Sequence, residues 1–237
     1  VPHASVCGGR ARCSTCSIRV LEGLDHQPEA SDTEQLVLER VGATQNVRLA
    51  CQLRPTADIS IVPLLPAHRT DAGDVHKLDK YFWGVEQTVT LMFTDIRGFT
   101  ALTETQLPYD VVFLLNQYLG RMSDTIVDAG GYVDKFMGDG IMAIFGMDKP
   151  AGEGAKDALV AARAMAGVLG ALNQSLRSHI SEPVRIGIGI HTGDAILGRI
   201  GVSSGSGAGE RITALGDTVN TASRLEAACK DLGVQLV

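Results

Sequence analysis

Tyr132-Val133-Asp134-Lys135-Phe136-Met137-Gly138-Asp139-Gly140-Ile141-Met142-Ala143-Ile144-Phe145 is the stretch that decides the fold. Residues 132–136 and 141–145 read as strands flanking Met137-Gly138-Asp139-Gly140, which is a hairpin signal. The turn leaves a carboxylate, Asp139, at its tip. Upstream, Thr88-Val89-Thr90-Leu91-Met92-Phe93 reads as a strand ending at a second carboxylate, Asp95. Between the two lies a helical pattern over residues 109–129, with Val112, Leu115, Leu119, Met122 and Ile126 on one face and Gly130-Gly131 as its stop. Downstream, an Ala-rich helix is expected over residues 153–177. Arg185-Ile186-Gly187-Ile188-Gly189-Ile190 then places isoleucines on one face and glycines on the other, so a helix can pack closely on the glycine side. Residues 194–200 are expected to pair with that strand through a turn at Thr192-Gly193. A helix over residues 218–230 follows.

Asp95 precedes Ile96-Arg97-Gly98-Phe99-Thr100. A carboxylate at a strand end, followed by a glycine-containing turn into a helix, can hold a metal ion beside phosphates while the next N–H groups point at those phosphates. Adjacent strands can bring Asp95 and Asp139 within reach of the same ion. Two carboxylates completed by triphosphate oxygens suit magnesium or manganese. Taken singly, each aspartate reads as well as a turn residue or a helix cap.

The chain has 237 residues, which allows one large domain or two small ones. With 45% hydrophobic and 20% charged residues a packed core can form. A net charge of −6 argues against a nucleic-acid binder, whose affinity rests on basic residues neutralising phosphates. No apolar run approaches the roughly 18–20 residues of a membrane helix, and no secretory signal is present. The first residue is Val1 rather than Met, so a longer native chain is expected.

Charge and cysteine usage divide the sequence near residue 67. Residues 1–66 carry six basic and seven acidic side chains, whereas the remainder carries fifteen and twenty. Residues 67–74 are polar and read as a linker, and the Ser/Gly stretch 203–209 reads as a mobile loop. Of five cysteines, Cys7, Cys13, Cys16 and Cys51 fall in the first part, and Cys229 lies on the last helical pattern as an expected core residue. An odd number of cysteines without a signal peptide fits a reducing cytosol, and clustered thiols there suggest a metal site. Cys7-Gly8-Gly9-Arg10-Ala11-Arg12-Cys13-Ser14-Thr15-Cys16 puts three thiols on one loop that glycines allow to turn back on itself. Residues 17–21 and 59–63 read as strands. Two irons bridged by two sulfides need four thiolates, and this segment offers four; a four-thiolate zinc site and incidental buried cysteines remain alternatives.

The C-x5-C-x2-C spacing, with a distant Cys in Arg48-Leu49-Ala50-Cys51-Gln52-Leu53, resembles the [2Fe–2S] ferredoxins of the adrenodoxin-like branch. It departs by one residue from the plant-type first gap. The resemblance covers residues 1–66 and implies a β-grasp domain whose Cys7, Cys13, Cys16 and Cys51 ligate the cluster. Such ferredoxins place two strands and a helix before the first cysteine. Six residues precede Cys7 here, so an incomplete β-grasp is expected.

Phe93-Thr94-Asp95-Ile96-Arg97-Gly98-Phe99-Thr100, Lys135-Phe136-Met137-Gly138-Asp139-Gly140 and Leu215-Gly216-Asp217-Thr218-Val219-Asn220-Thr221-Ala222-Ser223-Arg224-Leu225-Glu226 together resemble the class III nucleotidyl cyclases. The likeness runs from Thr88 to the end, where the family fold continues beyond the apolar residues 234–237. It implies an α+β chain: a ferredoxin-like (βαββαβ) cyclase domain over residues 88–237, behind the partial β-grasp domain and a linker at 67–87. It also implies two metal ions per site on Asp95, Asp139 and the Ile96 backbone, with Ile96, Gly98, Phe99 and Thr100 around the phosphates. Lys135 and Thr213 match the purine-reading positions, Asn220 the ribose-orienting one, and Arg224 the transition-state arginine. Thr at position 213 resembles the subgroup that includes bicarbonate-responsive cyclases. Lysine only donates and a threonine hydroxyl can accept, which suits adenine; guanine would call for a carboxylate. The implied activity is ATP to 3′,5′-cyclic AMP and pyrophosphate in a head-to-tail homodimer, with guanylate cyclase and a redox protein carrying a silent cyclase module as alternatives. A cytoplasmic location is expected, with room for a membrane anchor upstream.

Overall fold

The computed structural model describes residues 5–65, 80–81, 84–150, 152–177, 180, 182–200 and 211–237. Of the linker expected at 67–87, residues 67–79, 82 and 83 lie outside the described residues, as does the Ser/Gly loop at 203–209, and residues 85–87 belong instead to a strand, Val85–Ile96. The chain divides into two compact units, Val1–Glu86 with Ile196–Glu210 and Gln87–Ala195 with Arg211–Val237.

The first unit holds β1 (Ser17–Glu22), α1 (Asp32–Arg40), β2 (Val47–Leu49) and β3 (Ser60–Pro63), with the sheet ordered β2-β1-β3. Both pairings are antiparallel, the arrangement of a partial β-grasp sheet. In β1, Ile18 and Val20 point inward while Arg19 and Leu21 are exposed, as a half-buried strand requires. The sequence reading contained neither α1 nor β2. Helix α1 is polar over most of its surface and buries only Glu34 and Val37, so it has no apolar stripe to betray it. What fixes it is local: Ser31 caps its start by accepting the Glu34 N–H at 3.3 Å. Glu34 then anchors the helix to β2. Its carboxylate takes Arg48 Nε at 2.9 Å, the second Arg48 nitrogen at 3.0 Å and the Leu49 N–H at 2.7 Å. This pair is buried on both sides and its lone pairs are largely filled, which lets the interior tolerate it.

The second unit is built from β4 (Val85–Ile96), α2 (Phe99–Thr105), α3 (Pro108–Asp128), β5 (Gly131–Met137), β6 (Gly140–Phe145), α4 (Glu153–Leu176), β7 (Ile186–Arg199), β8 (Ile212–Leu215) and α5 (Asp217–Leu232). Its sheet runs β5-β6-β4-β7-β8. The first four strands and the helices between them form the ferredoxin-like βαββαβ arrangement. One core joins Leu114, Tyr118, Met122 and Ile126 of α3 to Met165 and Leu172 of α4 and to the inward residues of the sheet. Ile186 and Ile188 sit in that core, on the face opposite Gly187 and Gly189. A Cβ on Gly189 would fall 2.7 Å from the Glu226 Cα, so α5 packs on the sheet only because that side chain is missing.

Two further expectations fail. Val112, read on the apolar face of α3, is 56% exposed, and Leu114 and Tyr118 join Met122 and Ile126 on the buried face instead. Thr192-Gly193 makes no turn, and β7 is a single strand of 14 residues, hydrogen-bonded to β4 on one side and β8 on the other. Gly193 serves a different purpose: a Cβ there would lie 2.8 Å from the Thr218 hydroxyl oxygen, which donates to the Asp194 carbonyl at 2.6 Å. The glycine makes room for the first turn of α5 rather than for a reversal of the chain.

Candidate active site

Strand register brings the two carboxylates together. β4 and β6 pair antiparallel from Thr90↔Phe145 to Thr94↔Ile141, so Asp95, one residue beyond, falls beside the turn that carries Asp139. Gly140 sits between them, where a Cβ would be 3.3 Å from Asp95 Oδ1. Asp139 Oδ2 accepts the Ile96 N–H at 3.1 Å, which fixes its carboxylate beside the β4 end. Burial, then a shared hydrogen bond and repulsion from Asp139, push the Asp95 carboxyl up to about 7. Two oxygens that resist being charged together are what a divalent cation relieves, so the pair fits a magnesium or manganese site once substrate oxygens complete the shell.

Both aspartates line a cavity of about 780 Å3 together with Ile96, Gly98, Phe99 and Thr100. Gly98 adopts φ 70° at the entry to α2, a left-handed turn that lets the backbone swing toward this cavity. Two residues to which the sequence reading gave no role also shape the site. The Arg97 guanidinium fills the space left by Gly187, donates to the Glu226 carbonyl at 2.8 Å and lies 3.0 Å from Glu226 Oε1. That contact is ionic rather than a hydrogen bond, for Glu226 Oε1 is buried without a hydrogen-bond partner among the described residues. Burial raises the Glu226 carboxyl, Arg97 opposes, and Asp139 adds to the rise. The sequence signal was present but silent: Arg97 and Glu226 sit inside two of the quoted motifs.

Lys135 and Thr213 meet elsewhere in the unit. Lys135 Nζ donates to Thr213 Oγ1 at 2.7 Å. The Thr213 hydroxyl donates in turn to Asp134 Oδ2 at 2.6 Å, and the Ala214 N–H reaches the same oxygen at 3.4 Å. Asp134 is 2% exposed, and its Oδ2 lies 3.5 Å from Lys135 Nζ. Neither Lys135 nor Thr213 lines the carboxylate cavity. Asn220 and Arg224 stand one turn apart on α5, both exposed, and they too lie outside the cavity lining.

In the first unit Cys16 Sγ is 3.3 Å from Cys51 Sγ, and Cys13 Sγ is 3.0 Å from the Thr15 hydroxyl oxygen. Burial works to raise Cys7, but the N–H groups of Arg12, Cys13 and Arg10 and the Cys13 thiol outweigh it and hold Cys7 below the ordinary value. Gly8, Gly9 and Ala11, all with positive φ, turn those amides inward. Cys16 is pushed up to about 12 by burial, then by the Cys51 thiol and the Cys13 charge, so a cation is needed to make it a ligand. Among the described residues no three ligating side chains form a preformed single-ion cage. Four thiols on this unit, with Cys16 and Cys51 side by side, suit a two-iron cluster, which takes two thiolates at each iron. Cys229 is buried against the Ile188 carbonyl and is a core residue.

The fold and the paired carboxylates point to one class of α+β nucleotide-processing domain. Residues 84–237 match the adenylate and guanylate cyclase catalytic domain, and the chain belongs to that family. Residues 1–56 match the 2Fe-2S iron-sulfur cluster binding domain. The chain is 40% identical over 146 residues to the terminal-differentiation specific adenylate cyclase of Dictyostelium discoideum, covering 61% of this chain and 6% of that protein. It is 36% identical over 156 residues to an adenylate cyclase of Anabaena cylindrica, covering 63% and 29%. Retinal guanylyl cyclase 1 of Mus musculus is 37% identical over 201 residues, 83% of this chain and 16% of that one. The chain thus spans under a third of each. Among solved structures, the adenylyl cyclase CyaB from P. aeruginosa superposes with a TM-score of 0.54 at 36% identity, covering 61% of this chain and 74% of that one. The guanylyl cyclase Cya2 gives 0.55 at 35%, covering 61% and 72%. Among the described residues no helix is long and apolar enough to cross a membrane.

Proposed function

We propose that the chain is the cyclase part of an adenylate cyclase, converting ATP to 3′,5′-cyclic AMP and pyrophosphate, with an iron–sulfur module in front. The observation that carries ATP over GTP is the Lys135–Thr213 contact at 2.7 Å. It pairs a donor-only group with a hydroxyl, matching the N1 acceptor and exocyclic amine of adenine. Guanylyl cyclases among the relatives give a second reading, but guanine needs an acceptor for its N1–H. The carboxylate nearest this pair, Asp134, is buried behind Thr213, with its Oδ2 already taken by Thr213 and Ala214.

Asp95, Asp139 and the Ile96 backbone would hold two divalent ions, which neutralise the triphosphate and lower the pKa of the ribose 3′-hydroxyl. Residues 96–100 cradle the phosphates through backbone N–H groups. Asn220 orients the ribose, the 3′-hydroxyl gives up its proton to solvent as its oxygen attacks the α-phosphorus in line, and Arg224 stabilises charge developing there as the bond to the pyrophosphate breaks and pyrophosphate leaves. The site is shared in a head-to-tail homodimer, the carboxylates of one subunit facing Lys135, Thr213, Asn220 and Arg224 of the other. Cys7, Cys13, Cys16 and Cys51 ligate the [2Fe–2S] cluster, whose redox state acts on cyclase output. Product formed from ATP and from GTP with manganese is the test. Cyclic AMP as the dominant product supports the reading; cyclic GMP, or neither product, overturns it.

A further inference from the structure

We propose that Asp134 is a specificity-positioning residue: it claims the Thr213 hydroxyl proton and so leaves Thr213 able only to accept a hydrogen bond from the purine. The inference rests on the reading of Lys135 and Thr213 as the purine-reading pair. A threonine hydroxyl is by itself ambiguous, because its single proton can rotate toward a base acceptor as readily as its lone pairs can face a base donor. Alone it would discriminate poorly between adenine and a 6-oxopurine. The surroundings remove the ambiguity. The Thr213 proton goes to Asp134 Oδ2 at 2.6 Å, and one lone pair receives Lys135 Nζ at 2.7 Å. What remains is one lone pair, which fits the exocyclic amine of adenine. The O6 of guanine would meet that lone pair directly, and its N1–H would meet the lysine ammonium.

Backbone geometry makes this possible. Successive side chains on a strand point to opposite faces, so Asp134 and Lys135 should not reach the same partner. The pairing of β5 with β6 slips between Val133 and Lys135, leaving Asp134 as the extra residue of a bulge. A bulge re-aims a side chain in this manner. Asp134 thereby turns inward to 2% exposure while the Lys135 side chain stays 44% exposed, and both address Thr213. The Ala214 N–H at 3.4 Å further pins the carboxylate to β8. A buried carboxylate held by an opposing strand keeps its acceptor fixed when nucleotide arrives.

The test is displacement of a ribose-labelled fluorescent ATP by ATP and by inosine triphosphate, in manganese and read before turnover. Inosine carries the O6 and N1–H of guanine without its 2-amino group. Asp134→Ala and the near-isosteric Asp134→Leu free the Thr213 proton, and each should cut the preference for ATP over inosine triphosphate by roughly tenfold or more. Asp134→Asn retains an acceptor oxygen at the Oδ2 position and should keep the preference. A merely structural role would weaken both nucleotides alike and leave the ratio unchanged. If Lys135→Ala and Thr213→Ala collapse the preference while folded Asp134→Ala and Asp134→Leu preserve it, the positioning role is overturned and the base-reading pair stands. Loss of preference in Asp134→Asn equal to that in Asp134→Ala also overturns it. A wild-type chain with no preference, or one whose preference survives Lys135→Ala and Thr213→Ala, overturns the underlying reading instead.

Discussion

At the scale of single residues, most of the proposed chemistry was legible because it rests on residue type and spacing, whereas the partners that set each residue's state were not. Lys135 and Thr213 lie 78 positions apart and meet at 2.7 Å. Lys135→Glu replaces the donor with an acceptor and should lower kcat/KM for ATP by about a hundredfold while the melting temperature stays near wild type. Thr213→Ser keeps the hydroxyl and should stay within about threefold of wild type. Thr213→Val leaves the adenine amine unpaired and should cost about tenfold or more. Equal activity of all three variants would remove both residues from the site. Asp134 escaped the sequence because alternation places it on the face away from Lys135, and a one-residue bulge is not a property of composition. Asp95 yields a prediction with a definite sign. Its folded carboxyl is raised from 3.8 to about 7, mainly by burial and then by Asp139, so the folded state holds the proton more tightly than the unfolded chain. Stability from this group is therefore present at low pH and lost as pH rises toward about 7. In a metal-free protein the cyclase unit should melt at a lower temperature at pH 8 than at pH 5, Asp95→Asn should flatten that slope, and manganese at pH 8 should recover the loss. A metal-free melting temperature that rises between pH 5 and 8 in wild type, with Asp95→Asn identical, would contradict the pairing of the two carboxylates.

At the scale of elements, periodicity carried the second unit and failed in the first. Helices α3 and α4 and the β5–β6 hairpin were readable because each buries one face against a large shared core, and burial writes a period into the sequence. Helix α1 buries only Glu34 and Val37, and strand β2, buried throughout, is three residues long, too short to show a period; Val37 against Leu49 and the Glu34–Arg48 pair join them. No window statistic reports a contact between Glu34 and Arg48. The turn misread at Thr192-Gly193 has a related cause. Glycine signals either a reversal of the chain or a close approach, and here it permits the approach of Thr218. Gly189 is the sharper case, and its role was read correctly from the Ile/Gly alternation. Gly189→Ala would press a methyl group into the backbone of α5 at Glu226, where the Cα lies 2.7 Å from the added carbon. The helix must lift from the sheet, at a cost of about 1–3 kcal/mol, and Arg97 then loses its hold on the Glu226 carbonyl. Chemical denaturation should show that loss, with activity falling further than stability, because Asn220 and Arg224 ride on the same helix. An unchanged denaturation midpoint would mean that α5 does not pack at this glycine.

At the scale of the molecule, the two units make separate demands. In the first, Cys51→Ser removes one member of the Cys16–Cys51 pair, whose sulfurs lie 3.3 Å apart. Anaerobically prepared protein should be brown, with visible absorption that bleaches on reduction, and the serine variant should be colourless. Stoichiometric zinc without iron in the wild-type protein would displace the cluster assignment. In the second unit, the carboxylate cavity and the Lys135–Thr213 pair are separate places on one chain, and Arg224 is exposed outside the cavity. If Asp95 and Arg224 of one site come from different subunits, either substitution alone disables both sites of its own homodimer. Asp95→Ala removes a metal ligand. Arg224→Ala removes stabilisation formed mainly in the transition state, typically about 3–4 kcal/mol or roughly a hundred- to a thousand-fold in rate. In a mixed dimer, one site collects both substitutions and the other collects neither. With random exchange about half the dimers are mixed, so combining two inactive proteins should restore roughly a quarter of wild-type activity. Subunit exchange is to be followed independently, with a fluorescent label on each variant. Complete exchange with activity still at the single-variant level would mean that Asp95 and Arg224 do not act across a dimer, and the homodimeric mechanism would fall with them.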